Sequence, residues 1–259
     1  ADLVETELYN GILSGISPDG FHFFYENPLA SVGKHHRSEW FDCSCCPTNL
    51  VRFIPSVGGY AYATDGDTIY INQYIASLAK IELDGGTVGL RVRTEYPWSG
   101  RISIDAPETK EPVTLKLRVP AWCDTFTLSL DKEALDVSPS RGYIDTVLPG
   151  GGQLLLELDM SVRRVYADAR VKEDRKRVAF ARGPVVYCAE ETDQDYDGAT
   201  EYFHADFAVK RDVPVRDEFI PDTLGGIVEV FAGDATLVPY YAWDNRQRGG
   251  MAVWIKETD

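Results

Sequence analysis

The sequence predicts a mainly β chain: two antiparallel β-sandwiches, over residues 59–166 and 167–259, preceded by a helical segment over 1–58. Three observations carry this. Apolar residues recur at helical spacing up to about residue 58, and the period drops to two from Tyr60 onward. Short apolar-alternating runs then follow one another with glycine-rich breaks, such as Gly85-Gly86 and Gly150-Gly151-Gly152, and with no helical pattern between them. A charged stretch, Asp168 to Arg177, separates a first set of runs from a second and marks the junction.

Taken in order, residues 1–16 read as an amphipathic helix with Leu3, Val4, Leu8, Ile12 and Leu13 on one stripe and Gly15 near its end. Pro18-Asp19-Gly20 is a turn, and Phe21 to Tyr25 reads as a short aromatic strand. Gly33 to Arg37 forms a polar loop holding His35 and His36, which read as loop histidines rather than metal ligands. A second helix is expected from about Pro47 to Ser56, stopped by Gly58-Gly59. Strands are expected at Tyr60–Tyr62, Thr68–Ile71, Ala79–Leu83, Thr87–Tyr96, Gly100–Asp105, Val113–Val119, Thr125–Leu130, Tyr143–Leu148 and Gln153–Leu158. The second set comprises Val178–Ala181, Val185–Ala189, Phe203–Val209, Ile227–Phe231, Leu237–Trp243 and Met251–Ile255. Residues 194–200 form the most polar, disorder-prone segment, and no internal repeat is present.

Composition narrows the function. The chain has 259 residues, 44% of them hydrophobic, and a net charge of −15. No basic run exceeds three residues, so nucleic acid and anionic membrane surfaces are poor partners. No apolar stretch reaches the ~18 residues of a membrane span. Cys123 and Cys188 lie far apart and form no disulfide framework, the pattern of a reducing compartment, which favours the cytoplasm. The sequence starts without Met, and Ala1-Asp2-Leu3-Val4-Glu5 reads as the middle of a helix, as expected for the C-terminal part of a longer protein.

The chemistry gathers at Trp40-Phe41-Asp42-Cys43-Ser44-Cys45-Cys46-Pro47-Thr48-Asn49. Proline is favoured at the first turn of a helix, where its missing N–H costs nothing. Cys45 and Cys46 are therefore expected at a helix N-terminus, where partial positive charge favours thiolate over thiol. Zinc sites of the structural kind use cysteine pairs spaced C-x(2–4)-C with a second pair further on. Here Cys45 and Cys46 are adjacent and no second pair follows, so any metal needs ligands from elsewhere.

Trp-Phe-x-Cys-x-Cys-Cys-Pro-x-Asn resembles the signature of glycoside hydrolase families 127 and 146, the β-L-arabinofuranosidases. Glu7-Leu8-Tyr9-Asn10 and Phe23-Phe24-Tyr25-Glu26-Asn27-Pro28-Leu29 precede it in the family's order. Val178-Ala179-Phe180-Ala181-Arg182-Gly183-Pro184 and Val238-Pro239-Tyr240-Tyr241-Ala242-Trp243 follow it. The resemblance implies that residues 1–58 are the last helices of an (α/α)6 catalytic barrel whose remaining N-terminal portion is missing, with two sandwiches behind it. It implies retaining hydrolysis of an L-arabinofuranoside-containing oligosaccharide or glycoconjugate, with Cys45 as a zinc-bound nucleophile and Cys46 as a neighbouring zinc ligand. It puts Glu7 and Tyr25 near the sugar. The family's Glu-x-Cys motif and its acid/base glutamate have no counterpart, since no cysteine precedes Cys43. The expectation is an enzyme part inactive alone.

Plainer readings stand beside these. Glu7 is equally a solvated helix carboxylate, Tyr25 a core aromatic, and Trp40 a packing residue rather than a sugar platform. Trp98, Trp122, Trp243 and Trp254 are assigned to packing, and His204 to a structural place in a strand. The competing function, from a different class, is a non-catalytic carbohydrate-binding or scaffolding β-sandwich protein; a third is a metal or redox module built on the three cysteines.

Overall fold

The structure, a computed structural model, describes residues 1–106, 112–196 and 202–259. It is mainly β and divides into two compact units: Ala1–Glu5 with Phe53–Met160, and Thr6–Arg52 with Ser161–Asp259. The helical segment 1–58, expected as one region, is thus shared between them. Residues 161–166, expected in the first sandwich, lie in the second unit, where Val162–Val165 pairs with Arg177–Arg182 in register Val162↔Arg182.

The first unit is a two-sheet sandwich. One sheet runs Tyr143–Leu148, Val113–Arg118, Thr68–Ile71, Tyr62–Asp65. The other runs Ser77–Leu83, Gly86–Thr94, Arg101–Ala106, Gly152–Leu158, Phe126–Leu130, Glu133–Ala134. Alternation in the sequence becomes alternation in burial: Ile69 and Ile71, Ile102 and Ile104, and Leu154 and Leu156 are all fully buried. They meet in one cluster to which both sheets contribute. Each such side chain gains about 1.5–3 kcal/mol from leaving water. One pairing departs from the expected antiparallel pattern. Thr68–Ile71 runs parallel to Val113–Arg118, since the chain between them builds three strands of the other sheet.

Residues 1–5 join this unit through a buried charge cluster. The Arg118 guanidinium pairs with Glu5, donates to Asp2 Oδ1 at 2.6 Å and to the Asn72 carbonyl at 2.6 Å. Trp122 Nε1 and Tyr96 Oη donate to the same Glu5 carboxylate at 2.9 and 2.5 Å. Glu5 is fully buried while Leu3 is 72% exposed, so of the apolar stripe read from the sequence Leu8 is buried but Leu3 is not. The helix itself changes pitch, from α over Asp2–Thr6 to π over Glu7–Ile12 and a 3₁₀ turn at Leu13–Gly15.

In the second unit the expected sandwich is one branched hydrogen-bonded network rather than two separate sheets. Arg177–Arg182 and Val185–Glu190 pair directly only near their turn, from Arg182↔Val185 to Phe180↔Tyr187. Beyond that the ladder forks. Val185–Glu190 takes Met251–Ala252 as neighbour, and Arg177–Arg182 takes Ile255–Thr258. Ile255–Thr258 also pairs in parallel with Ala208–Lys210.

Several local expectations are corrected here. Phe203–Asp206 is a helical turn followed by a strand from Ala208, so His204 sits on a helix. Val215–Ile220 is an additional strand, invisible to alternation because none of its residues is buried. Phe21–Tyr25 makes only isolated bridges, Phe23 to Ile16 and Ser38. Of the segment 194–200, residues 197–200 lie outside the described residues; Gln194 is anchored, its side chain bonding the carbonyls of Glu190 and Thr236.

Candidate active site

The segments before residue 52 are stitched onto the second unit by side chains from the motifs read in the sequence. Buried Asn10 donates to the Pro184 carbonyl and accepts from Val186 N, both at 2.8 Å. Tyr240 Oη donates to the Pro28 carbonyl at 2.8 Å. The Ala30–Ser31 strand pairs with Met251–Ala252. His35 stacks on Phe24, which stacks on the fully buried Trp243, and His36 Nδ1 lies 2.6 Å from Asp244 Oδ1. Both histidines lie in the loop, half-buried.

The turn 11–15 holds this arrangement at three points. The Gly11 carbonyl accepts from Asn27 Nδ2 at 2.8 Å, the Ser14 carbonyl from Arg37 at 2.7 Å, and the Gly15 carbonyl from Phe24 N at 3.0 Å. Against Gly15 packs Leu50, so closely that a Cβ there would collide with Leu50 Cδ1. Leu50 belongs to the helix Cys45–Phe53, the element that carries the thiols. Gly15 thus touches both the thiol helix, through Leu50, and Phe24, the neighbour of Tyr25.

At the start of the helix the expected thiols meet an unexpected partner. Cys45 and Cys46 are its first two residues, and Thr48 N closes the first turn on the Ser44 carbonyl. Tyr25 Oη lies 2.9 Å from Cys45 Sγ and 3.8 Å from Cys43 Sγ. Cys45 and Cys46 Sγ are 3.8 Å apart. The three thiols are exposed and unpaired by disulfides. The Tyr25 hydroxyl, and after it the Cys46 thiol, hold the Cys45 thiol below its usual range. Tyr25 is pushed up, chiefly by its bond to Cys45, and Cys46 likewise. Within this group the bond to Tyr25 favours the charged form of Cys45 and the protonated form of Tyr25. Phe41 meets Tyr25 edge-on at 5.3 Å, and Trp40, 49% exposed, meets Phe23 in the same way.

Glu7 is not drawn in. It is exposed on the π turn with its carboxylate over Gly11, and it forms no hydrogen bond with Tyr25 or a cysteine. Cys123 and Cys188 are buried, and burial pushes both thiols up. Sequence reasoning missed the Tyr25–Cys45 bond and the roles of Gly15 and Arg37; the order of the motifs was the one signal that could have grouped them.

Zinc can be tested on the donor set. Two sulfurs bound to one tetrahedral zinc at about 2.3 Å lie roughly 3.8 Å apart, so Cys45 and Cys46 match two corners of such a site. Among the described residues, no group of three or more potential ligands gathers anywhere. Among the described residues, no helix is long and apolar enough to cross a membrane.

Comparison with known proteins matches three successive domain models along the chain. Residues 1–59 match the catalytic-domain model of glycoside hydrolase family 127 (β-L-arabinofuranosidase), 68–160 its middle domain and 162–256 its C-terminal domain. A non-reducing end β-L-arabinofuranosidase of Bifidobacterium longum subsp. longum is 35% identical over 98% of the chain and 45% of its own length. A family 127 β-L-arabinofuranosidase from Geobacillus stearothermophilus T6 superposes with a TM-score of 0.89 at 32% identity, over 99% of this chain and 46% of that one. Another family 127 β-arabinofuranosidase gives 0.91 at 33% identity, over 99% and 45%. By sequence and by fold these are domains of the glycoside hydrolase class. The chain belongs to family 127, and it spans about half the length of the relatives it matches.

Proposed function

We propose that the chain supplies the nucleophile-bearing C-terminal part of a retaining glycoside hydrolase acting on β-L-arabinofuranosides. The observation that carries this is the 2.9 Å contact of Tyr25 Oη with Cys45 Sγ at the first turn of the Cys45–Phe53 helix. The helix N-terminus and a hydroxyl donor both favour thiolate, the form that attacks. In this reading Cys45 attacks the anomeric carbon and expels the leaving oxygen, giving an S-glycosyl intermediate that water then cleaves. Tyr25 keeps its proton and orients the sulfur, and Trp40 and Phe41 offer aromatic faces beside it. Glu7 borders the sugar from the π turn. Cys46, with Cys45, is half of a zinc site whose other ligands lie outside this chain, as does the acid/base carboxylate.

Without that carboxylate, rate falls by about 10²–10⁴. The chain alone therefore does not turn over p-nitrophenyl β-L-arabinofuranoside, even with zinc and reductant. A 2,4-dinitrophenyl glycoside bypasses the missing acid because its leaving group needs no proton. With it, the account predicts one equivalent of dinitrophenolate and one anhydropentose added to the Cys45 peptide, both lost in Cys45→Ser. Sustained turnover abolished by Cys45→Ser would instead put an acid within these residues, Glu7 first. Reversible binding of the sugar with no covalent product would favour the non-catalytic carbohydrate-binding reading.

A further inference from the structure

In the second unit the strand Val215–Ile220 ends the hydrogen-bonded network, paired on one side with Ile227–Ala232. Among the described residues no strand pairs with its other side. Burial changes abruptly between the two strands: Ile227–Ala232 is almost wholly buried, whereas no residue of Val215–Ile220 is. Phe219 is 52% exposed, with its ring beside Gly226. An open edge of this kind is a template for a further strand, and proteins commonly guard it with lysine, proline or a bulge. Here Pro214 and Pro221 stand just outside the two ends, and the strand itself holds neither lysine nor proline.

The sequence of the strand suits a second copy of itself. In an antiparallel ladder each residue turns its N–H and C=O to one neighbour, and the next residue turns them to the other. The groups on the open edge therefore belong to alternate residues. Two copies related by a two-fold axis can bond only where residues of the same set face each other, so the axis must pass through a residue, not between two. On Arg216 it would set two arginines opposite each other. On Glu218 it would oppose two glutamates and put Asp217 against Phe219. On Asp217 it sets Arg216 against Glu218 and Val215 against Phe219, each contact made twice. The aspartates on that axis are already balanced, since Arg182 Nε lies 2.8 Å from Asp217 Oδ2. Arg216 is held on the opposite face, 3.9 Å over the Phe231 ring and 2.8 Å from Glu218 Oε2.

We propose that the open edge of Val215–Ile220 is a self-association surface, on which the same strand of a second copy pairs antiparallel with Asp217 at the two-fold axis. The ladder joins the two sheets, and the charge pairs fix its register. So short a ladder covers less than the about 1,200–2,000 Å² of a stable interface, so the dimer is weak and forms as concentration rises. No step at Cys45 enters the inference, which stands apart from the proposed hydrolase role.

Sedimentation velocity of the 259-residue chain over a concentration series tests it. A monomer–dimer equilibrium is expected, with no larger species, because pairing uses up the edge. Arg216→Glu and Glu218→Arg each place like charges opposite one another twice and are expected to weaken the dimer about tenfold. Each also breaks the pair within its own strand, so mixing the two variants separates the effects. In the mixture every strand keeps like charges within itself, while Glu at 216 of one copy faces Arg at 218 of the other, and Glu218 faces Arg216. The mixture is expected to associate about tenfold more tightly than either variant alone. A chain monomeric at every concentration, single variants that associate as the unmodified chain does, or a mixture no tighter than its components would overturn the proposal.

Discussion

In the first unit a carboxyl group and a guanidinium lie out of water, Glu5 fully buried and Arg118 nearly so, with every oxygen of Glu5 engaged by Arg118, Trp122 or Tyr96. In the second, Cys43, Cys45, Cys46 and Tyr25 stand in the solvent with few partners. Both are clusters of ionisable groups near the start of a helix, yet burial assigns them opposite work. The buried cluster is saturated and holds the chain together. The exposed one leaves a sulfur with a single strong donor and an open side, which is what an attacking group requires. The same contrast separates the thiols: burial raises Cys188 and Cys123, while the Tyr25 bond lowers Cys45.

The largest effect expected is at the buried cluster. Glu5→Ala leaves the Arg118 charge without its main partner and should cost about 3–5 kcal/mol. Urea unfolding should show it, while Cys45 labelling under native conditions stays unchanged. A cost below 1 kcal/mol would mean that water or Asp2 satisfies Arg118, and the contrast between the units would fail.

Next comes the seat of the thiol helix. Gly15→Ala forces Leu50 aside and should cost about 1–3 kcal/mol. Adding Leu50→Ala should cost less than the two single changes summed, because the collision is relieved. Additive costs would show that Gly15 does not set the position of Cys45.

A smaller effect is expected at Tyr25. Tyr25→Phe removes the donor that favours the charged sulfur, so the Cys45 pKa rises and less thiolate is present at neutral pH. Alkylation at pH 7 should slow a few-fold and recover as pH is raised. A rate unchanged at all pH values would mean that the helix terminus alone sets the sulfur's charge.

These contrasts were unevenly legible in the sequence. The strands around Ile69, Ile102 and Leu154 were plain because each buries alternate residues on one face. Val215–Ile220 was not, because it offers no buried face to betray its period. Leu3 and Glu5 exchange their expected places because Glu5 meets Arg118, more than a hundred residues away, and no local pattern carries such a contact. The helix at Cys45 followed from Pro47. The partner of its sulfur did not, since Tyr25 reaches Cys45 across a loop of twenty residues with no period of its own.

The central claim, that Cys45 is the activated thiol of this chain, is tested most directly by limiting iodoacetamide on the native protein across a pH series. Modified peptides are quantified by mass spectrometry. The account predicts that Cys45 is alkylated first, that its rate begins to rise at lower pH than that of Cys46, and that Cys123 and Cys188 react only after unfolding. Modification of Cys46 or Cys188 ahead of Cys45 would contradict it.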